Sequence, residues 1–128
     1  MTQENRELLI KDLCARLPYG VKMNHIADDE ISPKTLIGIA KDMITLSSSA
    51  GYSCVDVEHY KPYLFPLESM TEEATREFSA TLEWIKAKGH SESVMTYDSF
   101  DCLNKHHIDY RGLIPMGLAE DATDKNIY

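Results

Sequence analysis

An α+β domain is the fold class predicted by three features of the sequence: an amphipathic opening segment stopped by a proline, a middle run of short alternating segments, and a capped helical segment followed by a second one. The 128 residues match the usual size of a single domain, 1–128, and 43% hydrophobic content can supply its core. The expected layout is a helix over 2–17, a β-rich body over 21–67, helices over 70–88 and 98–107, and an ordered loop and tail over 108–128. The β-rich body reads as a small antiparallel β-meander or an SH3-like barrel.

Each element has a local cause. Thr2 can cap the first helix, whose Leu9, Ile10, Leu13, Cys14 and Leu17 recur at three- and four-residue spacings. Pro18 stops it and Gly20 lets the chain turn. Strands are expected over 21–26, 35–40, 43–46 and 52–57, where apolar and polar residues alternate or apolar runs are short. Asp28-Asp29-Glu30 and Ser47-Ser48-Ser49-Ala50-Gly51 supply turns. Pro62 and Pro66 argue against a central strand over 59–67, so that segment is expected to be an extended crossover packed over the sheet. Ser69 and Glu72 have the spacing of a capping box for the helix over 70–88, which ends at Lys88-Gly89. Asp98 or Ser99 can cap the helix over 98–107, with Phe100, Leu103 and His107 on its inner side. The stretch from 120 to 128 reads as polar and partly mobile, although Ile127 and Tyr128 can dock.

Composition narrows the function classes. A formal net charge of −8 and scattered lysines and arginines oppose nucleic acid, whose affinity comes from neutralising phosphates. The acidity serves solubility and is compatible with a basic partner surface. No run approaches the roughly 20 apolar residues of a membrane span, and the first residues lack the basic flank and apolar centre of a signal peptide. Cys14, Cys54 and Cys102 have no Cys-x-x-Cys spacing, so they are expected to be reduced, with at least two of the three buried. A cytoplasmic protein without a cofactor is the resulting expectation.

Few residues are spaced for chemistry. Cys102 and His106, one helical turn apart, can share a metal, with His25, His59 or His90 completing the site; the competing reading places Cys102 in the core and His106 in solvent. A cysteine–histidine nucleophile lacks any supporting local sequence, and no phosphate loop, dinucleotide fingerprint, zinc-protease helix or nucleophile elbow is present. Asp28-Asp29-Glu30 and Glu72-Glu73 read as a solvated turn and a helix's first turn. Tyr110 and Arg111 form a pair suited to an interface centre, or Arg111 bridges internally to an acid, such as Asp109 or Asp101, and pins the loop. Tyr60, Tyr63 and Phe65 form either an exposed aromatic strip or a lid on the core.

Three blocks carry a resemblance. The segment from Leu8 to Lys22, the segment from Val57 to Glu73, and Leu103 to Ile114 followed by Gly117-Leu118-Ala119 are similar to small uncharacterised proteins from gut anaerobic bacteria and their phages and mobile elements. That resemblance implies a setting and brings no activity with it. The expected function is a non-catalytic protein-binding or accessory module, with Tyr60, Tyr63, Phe65, Tyr110 and Arg111 as its contact residues. The alternatives are a structural homo-oligomeric component, or a metal-binding protein or enzyme using Cys102 and His106.

Overall fold

Helix α1 (Gln3–Arg16) begins where the Thr2 side chain accepts the Asn5 amide at 3.1 Å. Pro18 allows only one further 3₁₀ turn, Leu17–Tyr19, before Gly20 reverses the chain at φ 68°, a backbone conformation that a side chain would strain. The computed structural model describes residues 1–27, 33–67, 76 and 97–128, from backbone alone over 97–100. The acidic turn at 28–30, the capping box at 69–72 and the helix over 70–88 lie outside the described residues, Arg76 apart, which is helical and exposed.

The strands are β1 (Lys22–His25), β2 (Lys34–Ala40), β3 (Met43–Ser48), β4 (Gly51–Asp56) and β5 (Tyr60–Pro66), followed by α2 (Tyr97–Lys105), β6 (Ile108–Asp109) and β7 (Glu120–Asp121). They form one mixed sheet in the order β4-β3-β2-β1-β5-β6, with β7 also paired to β5. From β1 to β4 the sheet is an antiparallel meander, and β5 returns antiparallel to β1. The short β6 and β7 run parallel to β5. The sheet is open, and the α+β class holds. A bulge in β2 between Leu36 and Gly38 turns Ile37 outward, where it is exposed.

Strand β5 corrects the expected crossover. Main-chain groups alternate between the two edges of a strand. The His59 carbonyl accepts Ile26 N at 2.9 Å and Phe65 N donates to the His107 carbonyl at 2.8 Å, so odd positions serve one edge. The Leu64 carbonyl accepts Ala122 N at 2.8 Å on the other edge, which among the described residues only the two-residue β7 covers. Pro62 and Pro66 share that second edge with Leu64. Their missing N–H groups therefore fall just outside the ladder, and β5 is central despite two prolines.

Leu9 and Leu13 of α1 seat against Val21, Met23, Leu36, Ile44, Leu46, Val57, Tyr60 and Leu64, with Leu113, Leu118 and Ala119 closing one end. Each fully buried aliphatic side chain contributes roughly 1.5–3 kcal/mol. Arg6 ties the start of α1 to the far end of the β3–β4 hairpin, reaching Asp56 at 3.1 Å and Glu58 at 2.9 Å. The buried stripe of α1 is Leu9, Asp12, Leu13 and Arg16, so Cys14 falls on the exposed side. Cys54 is exposed as well, because alternation turns it to the outer face of β4, and only Cys102 is buried. Among the described residues no helix is long and apolar enough to cross a membrane.

Two further expectations change at the C-terminal end. Helix α2 already includes Tyr97, so Asp98 and Ser99 lie inside it, and it stops at Lys105. His107 leaves the helix at φ 59°, its amide still bonded to the Asn104 carbonyl at 3.1 Å. The stretch expected as loop and tail contains β6 and β7, and Tyr128 docks by donating its hydroxyl to the Tyr63 carbonyl at 2.8 Å. With dilute folded protein, a thiol reagent should modify Cys14 and Cys54 rapidly and Cys102 only on unfolding; mass mapping of the labelled peptides checks the order.

Candidate functional site

Asp12 and Arg16, both fully buried, face each other one helical turn apart. Arg16 Nε donates to Asp12 Oδ2 at 2.7 Å, and its Nη2 donates to Asp12 Oδ1 at 3.2 Å and to the Ile108 carbonyl at 2.6 Å. Arg111 Nε reaches the same Asp12 carboxylate at 3.1 Å from outside. The two guanidinium carbons lie 5.2 Å and 5.0 Å from the centre of the Tyr110 ring, close enough for cation–π attraction. The Tyr110 hydroxyl donates to Asn104 Oδ1 at 3.0 Å and accepts from Arg111 Nη2 at 3.3 Å. One carboxylate thus gathers two arginines and an aromatic ring, joining α1 to α2 and β6.

The loop after β6 is shaped by a second carboxylate. Asp109 accepts the Leu113 and Ile114 amides, each at 2.9 Å, one on each oxygen. The folded loop leaves an open cleft of about 360 Å³ between itself and the end of β5. Its apolar walls are Pro66, Leu67, Ile114 and Pro115, and Tyr110 and Asp121 are among its other lining residues. Asp109 lines the cleft too, but both its oxygens hold main-chain amides. The hydrogen bonds from Thr123 hold the Asp121 carboxyl below the usual carboxylate range, so Asp121 offers the cleft a negative charge at neutral pH.

Behind the cleft, His107 stacks on Tyr128 with ring centres 3.7 Å apart and planes 12° from parallel. The Tyr128 hydroxyl also accepts the Lys22 amide at 2.8 Å, bridging β1 to β5 where their own ladder has ended. Burial, reinforced by the nearby Arg16 charge, pushes the His107 imidazole down to about 4, and burial raises the Tyr128 phenol above its ordinary value. Both rings are neutral at physiological pH.

The contact residues expected from sequence divide sharply. Tyr60 and Tyr63 are core residues, 4% and 2% exposed, with Lys34 and Lys125 over their rings, so no exposed aromatic strip exists there. Tyr60 shares the face of Leu64 and packs in the core cluster, whereas Tyr63, of opposite parity, is buried on the other face of β5. Phe65 is half-buried against Tyr128, and Tyr110 lines the cleft. Arg111 bridges internally, but to Asp12 rather than Asp109 or Asp101, because Asp109 is occupied by the loop amides and Asp101 is exposed. Cys102 is buried and His106 half-buried, and among the described residues no group of three histidine, cysteine or acidic side chains converges. His25 and His59 stack together at the opposite end of β5, and His90 lies outside the described residues. Sequence reading missed Asp12 and Arg16; it named Tyr128 as able to dock and Asp109 only as a partner for Arg111, not as the acceptor of the loop amides. The acid–base pair spaced i,i+4 between Leu9 and Leu17 was the available signal.

The fold and site define an α+β chain with an open mixed sheet and a cleft at the C-terminal end of its central strand. No protein-family model, curated protein or solved structure matches the chain.

Asp12→Ala should destabilise the protein by about 3–5 kcal/mol in urea unfolding, since it strands Arg16 as a buried charge, whereas Arg111→Ala should cost clearly less. A second test is the pH dependence of stability. Between about pH 6.5 and 4 the unfolded chain takes up a proton at His107 that the folded chain does not, so stability falls as pH falls through that window and levels off below it. The loss should be on the order of 2 kcal/mol once solvent screening is allowed for. His107→Asn, which suits the left-handed backbone, should flatten the slope in denaturant midpoints measured across the same range.

Proposed function

We propose that the chain is a non-catalytic protein-binding module, a cytoplasmic accessory of phage or mobile-element origin, whose cleft takes an apolar, cation-bearing segment of a partner. The observation that carries this reading is the cleft itself, where Pro66, Leu67, Ile114 and Pro115 present apolar surface beside the ionised Asp121. A partner segment with aliphatic residues would shed water on those walls, and a lysine or arginine would face Asp121. The chain's net charge of −8 would favour encounter with such a basic segment and oppose phosphate-rich ligands. Tyr110 adds an amphipathic ring at the rim, held in place by Asn104 and the two arginines.

A photo-crosslinking residue at the exposed Pro115 should yield a discrete adduct in extract from the native host, and one at the exposed Lys11 should not. Ile114→Asp and Asp121→Asn should each reduce the adduct several-fold. Absence of an adduct at Pro115, or identical adducts at both positions, overturns the reading.

A further inference from the structure

The two margins of the sheet are treated differently. At β5 the free positions carry prolines, and the partner strands β6 and β7 are two residues each, which blunts that side. Strand β4 has six residues, Gly51-Tyr52-Ser53-Cys54-Val55-Asp56, with no proline, no lysine and no bulge, and among the described residues no strand pairs with its outer side. Such an edge is a ready template for another strand.

The direction of its free groups follows from the ladder. Val57 N donates to the Asp42 carbonyl at 3.0 Å, and Ser48 pairs with Gly51 across the hairpin turn. Odd positions of β4 therefore bond to β3, and Tyr52, Cys54 and Asp56 direct their N–H and C=O groups outward. The Tyr52 and Cys54 side chains lie on the outer face, Tyr52 78% exposed and Cys54 exposed, while the Asp56 carboxylate is held by Arg6 of α1.

We propose that two copies of the chain pair antiparallel through this edge, about a two-fold axis at Cys54. This goes beyond the cleft reading and does not depend on it. In the register that sets Cys54 opposite Cys54 of the second copy, Tyr52 meets Asp56 at both ends, so all three outward residues are paired and about six main-chain hydrogen bonds form. A shift by two residues in either direction leaves one of the three unpaired.

Charge selects the same arrangement. The acidic end of the hairpin holds Asp42, Asp56 and Glu58 around Arg6, and its tip, Ser48-Ser49-Ala50-Gly51, is uncharged. Antiparallel pairing lays each acidic end beside the other copy's neutral tip. The two Asp56 residues are then offset by four residues, roughly 13 Å, beyond the ~8 Å screening length at physiological salt. Parallel pairing would set the acidic ends side by side. The interface is small, so the dimer should dissociate on dilution.

Sedimentation from roughly 1 μM to 1 mM should show the average mass rising toward twice that of one chain. Cys54→Lys puts like charges face to face across the axis and should weaken association by roughly tenfold or more. Cys54→Pro, which removes an outward N–H and no hydrogen bond of the β3–β4 ladder, should weaken it as well. In Cys14→Ser protein a short bis-maleimide, adding one Cys54 thiol at each end, should trap a covalent dimer, and the additional change Cys54→Ser should abolish it. A chain that is monomeric across the whole range, or a dimer that ignores both Cys54 variants or cannot be trapped through Cys54, overturns the proposal. Adduct formation at Pro115 reads the cleft separately.

Discussion

Asp12 and Arg16 occupy the stripe of α1 that faces the sheet, between leucines and out of contact with water. Two charges in that position lose their hydration, and their mutual attraction offsets the loss only when the remaining hydrogen-bonding positions are also filled. The structure fills most of them from the C-terminal third of the chain: the Ile108 carbonyl takes one Arg16 N–H, Arg111 shares the Asp12 carboxylate, and Tyr110 lies against both cations. The position of β6 is therefore tied to a charge on the first helix. Once β6 is set, Asp109 is in place to fold the loop from 110 to 114, and that loop makes one wall of the cleft. Among the described residues Arg16 Nη1 has no hydrogen-bond partner.

The same physics explains why the C-terminal strands are so short. Strand β5 needs partners on both edges at its centre, and its prolines limit where they can attach. Leu64 is the one even position between Pro62 and Pro66, and β7 binds there with the Ala122 amide. Where the β1 ladder has ended, the Tyr128 hydroxyl fills in as donor to Tyr63 and acceptor from Lys22. A side chain thus completes what main chain alone leaves open, and the stacked His107 shields it.

Much of the secondary structure was legible because it rests on local signals. The Thr2 cap, Pro18 and Gly20 bound the first helix, and the four middle strands fall where alternation and turn residues place them. The candidate site was legible only in part. Tyr110 reaches the cleft, but Tyr60 and Tyr63 are buried on opposite faces of β5, and Arg111 chooses an acid 99 residues away instead of its neighbours. Those outcomes depend on strand register and on which oxygens other groups already occupy, and neither is a property of a local window.

By itself, the sequence determined the α+β class, the ends of the first helix, the serine-rich turn and the acidic net charge, because capping, backbone restriction and periodicity act within a few residues. Tertiary structure alone decided that Asp12 and Arg16 are buried, that two prolines fit a central strand, that Cys14 and Cys54 face outward, and that a cleft lies beside Tyr110. Each is settled by a partner distant in sequence: a buried charge is tolerated, and a missing N–H goes unmissed, only according to what lies across from it in space.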